Sequence, residues 1–441
     1  MLRKYITIGL MAGALIAFQS CTIDEAVDLN NPSVNDVLSD PTVAELNNLV
    51  VGVMASMRED VGVHVTAMGT IAREFYIFDA DPRNTEDLLG KDGVSLDNNS
   101  FYSTASFASR YQVVKLANII LEAVEEATVL SEEQKNGYRG FANTVKAHEL
   151  LMVLNQLYDN GIRIDVSDPL NLGGFVTRAE AEKHIADLLD TGATQLTSAG
   201  SDFAFTLTSG YAGFDKPATF RTFNRAVAAR VALYRGEYDD VLNIMDESFM
   251  DMSADLSIGP KHVFSTQGGD MLNPLFKVPG QNGDQIVVHE SFVEDAEMGD
   301  MRVAKKTILR TDPTVQDNLT GSYSTALFTS ATAPMDIIRN EELLLIKAEA
   351  YIQLSMFDEA IELIDVVRTK AGLTQYSGEK TKDAMVDQIL YERRYSLWGE
   401  YGHRMIDLRR YGKLNSNELP LDRAKDQIFT QFPIPLTENQ G

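Results

Sequence analysis

Residues 339–372 read RNEELLLIKAEAYIQLSMFDEAIELIDVVRTKAG, and the reading of this stretch decides the fold. Its first half sets Leu344, Ala348 and Tyr351 at the i, i+4, i+7 spacing of one helix face, and its second half sets Phe357, Ala360, Ile364 and Val367 on another. A very short turn separates the halves, so the spacing predicts two antiparallel helices. Ala348 and Ala360 stand where facing backbones must come close, and Tyr351 and Phe357 fill the space around them.

The same order recurs upstream in FNRAVAARVALYRGEYDDVLNIMDES. Gly236, Tyr238 and Val241 keep the spacing of Ser355, Phe357 and Ala360, and Ala229 lies twelve before Val241 as Ala348 lies twelve before Ala360. This is the small/large order of a tetratricopeptide (TPR) repeat, and its recurrence predicts an α-helical array of three to four hairpins. Other stretches agree. Val43, Leu46, Val50, Val53 and Met57 form one face after a start at Asp40-Pro41-Thr42, with Pro expected at the first helical position. A second helix is expected from about Val63 to Phe78. Val113, Leu116, Ile120 and Val124 form a stripe, and Ser131 with Gln134 and Thr177 with Glu180 are capping boxes. Asp159-Asn160-Gly161 reads as a left-handed stop. The fold class is therefore mainly α, a TPR-like helical-hairpin array with an irregular, loop-rich inserted subdomain.

The chain has 441 residues, 39 basic against 64 acidic side chains, a formal charge of −25 and one cysteine. So acidic a surface repels phosphate backbones, which argues against nucleic acid as a partner. The N-terminus carries Arg3 and Lys4, then an apolar run from Tyr5 to Phe18, too short for a comfortable membrane span, then Ser20-Cys21. Residues 1–20 read as a signal peptide of the bacterial lipoprotein type, with Cys21 as the acylated first residue. Residues 21–39 form a polar tether, with the acidic pair Asp24 and Glu25 behind the anchor. The expected organisation is then an N-terminal helical region over 40–249 with an aromatic loop at 76–102, an inserted subdomain over 250–334, and a C-terminal hairpin and signature over 335–441. In the insert, Leu275 to Val278 and Ile286 to Val288 are expected to be short strands.

The last region reads YERRYSLWGEYGHRMIDLRRYGKL. Glu392-Arg393-Arg394, Leu397, Glu400, Gly402, Arg404, Asp407, Leu408 and Arg410 resemble the C-terminal signature of the SusD/RagB family of outer-membrane nutrient-binding lipoproteins, with Ser396 where Glu is usual and Tyr401 as an extra residue. Phe432-Pro433-Ile434-Pro435 resembles the family's closing segment, and Asp81-Pro82-Arg83 with Glu86, Leu88, Leu89 and Gly90 resembles an early one. The charges of Glu392, Arg393, Glu400, Arg404, Asp407 and Arg410 are structural in this reading, pairing at helical and turn spacings, and Trp398 beside them is a packing anchor.

The resemblance implies a lipid-anchored protein of the outer membrane, facing the cell exterior. It implies capture of a glycan and delivery to a SusC-like TonB-dependent transporter. Sugars offer C–H faces to aromatic rings and hydroxyls to amides and carboxylates. The candidate ligand contacts are thus Tyr76, Phe78, Phe101, Tyr102, Tyr323 and Phe328 for stacking, with Asp81, Arg83 and Asn84 for polar contacts. Asp81 and Arg83 can equally hold their own turn. Peptide ligands in the same role, or a TPR adaptor without a small ligand, are the alternatives. Catalysis, a metal and a cofactor are not expected: His148-Glu149 begins a zinc-protease pattern but Met152 takes the second ligand's place, no Gly-x-Ser-x-Gly elbow occurs, and adjacent carboxylates such as Glu125-Glu126 point to different sides of a helix.

Overall fold

The computed structural model describes residues 39–168, 170–419 and 421–439. The signal sequence, Cys21 and nearly all of the expected tether lie outside the described residues. Helices dominate. In chain order they are α1 (Val43–Ser56), α2 (Val61–Ile71), α3 (Phe101–Glu126), α4 (Glu132–Leu157), α5 (Arg178–Thr197), α6 (Pro217–Arg235), α7 (Tyr238–Met245), α8 (Glu290–Glu294), α9 (Met301–Lys306), α10 (Asn340–Gln353), α11 (Phe357–Lys370), α12 (Lys382–Ser396) and α13 (His403–Arg410). Each long helix lies against the next in sequence, from α3 through α7, and α10 then packs on α6 and α7 while pairing with α11 and α12. This is the mainly α, TPR-like hairpin array that the repeated spacing predicts. None of the described helices is long and apolar enough to cross a membrane.

The two repeats match at the level of backbone angles. Ala229, Val241, Ala348 and Ala360 are fully buried at the helix crossings. Between the paired helices the chain turns through a left-handed residue in both copies, Gly236 at φ 76° and Ser355 at φ 62°. Glycine takes that conformation without the Cβ clash that serine suffers. Ser355→Gly is therefore expected to stabilise the fold by about 0.5–1 kcal/mol, read as a higher urea midpoint. A closer approach joins α4 to α5, where a Cβ on Gly140 would meet Leu196 Cγ at 2.6 Å. The capping boxes at Ser131 and Thr177 form, and a third forms at Thr42. Thr42 is thus the N-cap of α1 and Pro41 precedes it, two positions before the first helical residue, the place expected for a proline, because the Thr42 hydroxyl and the Glu45 carboxylate satisfy the first free N–H groups.

The strands are β1 (Phe75–Phe78), β2 (Ile162–Arg163), β3 (Phe175–Val176), β4 (Lys261–His262), β5 (Gln285–Val288), β6 (Thr307–Gln316), β7 (Leu319–Thr325) and β8 (Met335–Asp336). Four make one antiparallel sheet in the order β1-β5-β7-β6. Here the structure departs from the sequence reading. The helix expected to run to Phe78 stops at Ile71, and Phe75–Phe78 instead pairs with β5 more than two hundred residues on. Leu275 to Val278 forms no strand, since Leu275 turns into the core beside Trp398. The unforeseen hairpin β6–β7 turns at Asp317-Asn318, both at positive φ (50° and 62°), a pairing suited to a two-residue hairpin loop.

Of the signature charges Glu392, Arg393 and Asp407 are buried and Glu400, Arg404 and Arg410 half-buried, and most of their partners lie far off in sequence. Glu392 accepts from Arg302 (2.6 Å), Arg368 (2.9 Å) and Gln388 (2.7 Å). Glu400 accepts from Arg339 at 3.0 Å, and Arg404 donates to the Ala72 carbonyl at 3.1 Å. Arg393 meets Asp407 at 2.7 Å, and Arg410 meets both Asp407 and Glu349. The expectation of pairing at helical spacing therefore holds for Asp407 with Arg410 and fails for Glu392, Glu400 and Arg404. These groups tie α12 and α13 to α9, α10 and α11. Trp398 is 1% exposed, edge-on to Phe75 and packed on Phe292, with its N–H on the Glu74 carbonyl, as a packing anchor should be.

Candidate functional site

The long face of α3 that turns away from the core carries Thr104, Ala108, Tyr111, Lys115, Asn118 and Glu122 at near-helical intervals. It forms one wall of a groove of about 570 Å³. Arg163, Val166, Ser167 and Leu172 make the opposite wall, and Pro435, Thr437 and Glu438 close one end. Helix α3 lines the groove with one stripe and the core with the other, since Val113, Ile120 and Val124 are fully buried.

The groove is held by polar contacts around the half-buried ring of Tyr111, with Phe107, only 6% exposed, packed against it. Tyr111 donates its O–H to the Arg163 carbonyl at 2.8 Å and accepts the Arg163 N–H at 2.9 Å. Burial pushes the phenol well above its ordinary range, so it stays neutral. The Phe107 and Tyr111 rings stand 4.7 Å apart. Arg163 lies over the Phe175 ring at 4.8 Å, pairs with Glu438 at 2.7 Å and donates to the Gly173 carbonyl. Asn118 donates to the Val166 carbonyl at 3.3 Å, and the tail is fastened by Leu436 N–H on the Asn98 carbonyl at 3.0 Å. Lys115 and Glu122 are exposed at the rim. The result is an aromatic and aliphatic floor edged by an ammonium, an amide and a carboxylate, suited to holding a neutral polar ligand. Among the described residues no group of histidines, cysteines and carboxylates is placed to hold a metal.

The residues expected from sequence fall in three places. Tyr76 and Phe78 lie in β1 and are 5% and 1% exposed; Tyr76 gives its O–H to Asp422 at 2.6 Å, and Phe78 packs with Leu89, Val287 and Leu319. Tyr102 is fully buried, its O–H on Asp87 at 2.7 Å. These three rings present no face to a ligand in this structure, because strand pairing and the first turn of α3 draw them inward. Tyr323 and Phe328 are half-buried on the other face of the sheet, in the cluster around Trp398. Asp81, Arg83 and Asn84 hold their own turn: Asp81 takes the Arg83 guanidinium at 2.6 Å, a bond that lowers its carboxyl, and Asn84 donates to Asp79. Arg83 also meets Phe101, with the guanidinium 4.8 Å from the ring centre, one turn before Thr104 at the groove.

Tyr111, Arg163 and Glu438 were not singled out in the sequence, since they come from three separate segments. One signal for the groove was present, the pair Phe107 and Tyr111 four residues apart beside a polar run on the same helix.

Residues 309–437 match the SusD family. No curated protein matches the chain. Among solved structures, the chain is similar to a SusD superfamily protein from Bacteroides vulgatus at 16% identity and TM-score 0.67, covering 91% of this chain and 97% of the other. It is similar to surface glycan-binding protein A from Bacteroides thetaiotaomicron at 15% identity and TM-score 0.71, with the same coverage. A structure of that protein in complex with laminarihexaose aligns at 14% identity and TM-score 0.69, covering 90% and 97%.

Proposed function

We propose that this SusD-like protein is a lipid-anchored receptor of the outer-membrane surface, which captures a glycan in the groove along α3 and passes it to a SusC-like TonB-dependent transporter. The groove carries this reading: in a fold shared with surface glycan-binding proteins, it sets the half-buried ring of Tyr111, packed on the buried Phe107, beside Asn118, Glu122 and Arg163. Rings give sugars a flat apolar face, and a few fixed polar groups give orientation. The lipid anchor rests on the signal-like N-terminus and Ser20-Cys21, and the transporter on the family resemblance. The role is binding without turnover. Phe101 and Arg83 extend the same face at the start of α3, while Asp81 and Asn84 shape that turn.

Isothermal titration against laminarihexaose and other oligosaccharides tests this. Tyr111→Ala is expected to weaken the binding of a retained glycan about tenfold, equivalent to about 1.4 kcal/mol, and Tyr111→Phe much less, since the ring remains. Unchanged affinity in Tyr111→Ala would move the ligand off the groove. Retention of peptides with no glycan bound would change the ligand class while keeping the site, a reading that the aliphatic Ile119, Val166 and Leu172 favour.

A further inference from the structure

A small cavity of about 10 Å³ lies where α2, α4 and α6 meet the turn that enters α13. Its lining includes His64, His148, Tyr401 and His403, which are 2%, 1%, 5% and 2% exposed. On each of these side chains one polar atom, the Tyr401 hydroxyl or an imidazole Nε2, hydrogen-bonds to no other group of the protein. Buried polar atoms are nearly always partnered, and each one left alone costs free energy. Several such atoms around one cavity call for a further partner. We propose that this cavity is a binding site for a single structural water molecule, held by the Tyr401 hydroxyl together with the His148 and His403 rings.

Other partners have to be weighed first. Gln156 lies beside His64 with its own side-chain oxygen unserved, and a small movement joins the two. No such neighbour serves the remaining three. His403 Nε2 stands 3.7 Å from Glu342, too far for a hydrogen bond. The His148 and Tyr401 rings meet edge to face with centroids 6.1 Å apart, a packing contact. His148 Nδ1 lies 3.0 Å from Glu149, a carboxylate that only accepts, which places the ring proton on Nδ1 and leaves Nε2 a lone pair. A water can donate to that lone pair and accept the Tyr401 O–H, and two to four such partners are what a buried water needs. The occupant is neutral, because the surrounding arginines are already matched: Arg110 by Glu149 and Arg230 by Glu342, each at 2.7 Å. The volume admits one water and little more, and among the described residues no set of histidines and carboxylates is placed to hold a metal.

The backbone supplies a second reason. Tyr401 stands at φ 42°, directly before Gly402 at 71° and two residues after Gly399 at 73°, and a bulky side chain rarely accepts that conformation. The strained turn swings the ring inward and sets its hydroxyl in the cavity at a cost in backbone energy. The extra residue of the C-terminal signature thereby has a task.

Crystallography of the full chain, with and without Tyr401→Phe, is the test. In the parent a solvent peak is expected within about 3 Å of the Tyr401 hydroxyl and of at least one imidazole Nε2. In Tyr401→Phe, which keeps the ring, that peak should weaken or disappear. In solution the variant's urea midpoint should fall, because the water loses a partner. A dry, unpartnered hydroxyl predicts the reverse, since deleting it relieves its burial cost and raises the midpoint. An empty cavity in the parent, or an unchanged or higher midpoint in the variant, overturns the proposal. The cavity shares no residue with the α3 groove, so the outcome of glycan titrations there leaves it untouched.

Discussion

Glu342→Ala is expected to destabilise the protein by about 3–5 kcal/mol, the cost of leaving a buried charge without its partner. Glu342 stands at the start of α10 and Arg230 in α6, so the pair crosses between the two recurring hairpins. Both side chains are almost wholly buried, at 1% and 4% exposure, and the carboxylate takes both guanidinium arms at 2.7 Å. Arg230 has one other acceptor, the Ile337 carbonyl at 3.1 Å. The nearby cations hold Glu342 down at about 2 against the pull of burial, so it is ionised whenever the protein is folded near neutrality. Alanine leaves Arg230 charged, buried and served by a single carbonyl. The paired replacement Arg230→Met with Glu342→Leu removes both charges and should recover most of the loss. Urea unfolding of the three proteins decides it; a single-variant cost below about 1 kcal/mol would show that the pair contributes little.

Acidification from pH 7 to pH 5 is expected to remove about 2–3 kcal/mol of stability. His64, His262 and His403 are buried and are held neutral in the fold, His64 down at about 3 and His403 at about 4, by burial first and then, for His64, by Arg110. Glu342, 3.7 Å from His403, pulls the other way without restoring its ordinary value. In the unfolded chain each imidazole takes up a proton below about 6.5, while the folded protein does not, so the unfolded state gains about 2 kcal/mol per histidine by pH 5. Stability is therefore full above 6.5 and declines as pH falls towards the folded values. Glu74, raised to about 7 by burial, works in the opposite direction over the same interval, since the folded state holds its proton; Glu392 and Glu400, also raised by burial, add to that offset. Glu341 and Glu342, lowered to about 2, act only below about 4.5. His403→Gln should shrink the drop between pH 7 and 5 by about 2 kcal/mol. Equal urea midpoints at the two pH values in the parent protein would rule the mechanism out.

What could be read in the sequence was whatever depends on near neighbours. The hairpin at 339–372 follows from apolar spacing within one helix, and the caps at Ser131 and Thr177 from residues three apart. The signature charges were visible, but not their partners: nothing local to Glu392 points to Arg302 or Arg368. Tyr76 and Phe78 looked like loop aromatics because the strand that buries them begins at Gln285. The groove escaped for the same reason, since α3, Arg163 and Glu438 meet only in three dimensions. Side chains within a turn of each other leave a pattern, whereas sites assembled from distant segments leave composition alone.

The sheet that buries Tyr76 also sets an order of events during synthesis. Asp422 accepts from Arg73 and Tyr76 and contacts His289, and the Gln427 N–H reaches the Leu89 carbonyl. An N-terminal half emerging from the ribosome has neither β5 to pair with nor Asp422 to satisfy two inward-facing polar groups. Its early helices can form, but the region around β1 stays open until nearly the whole chain exists. Late closure of this kind leaves the chain threadable for longer, which suits the export across a membrane proposed above.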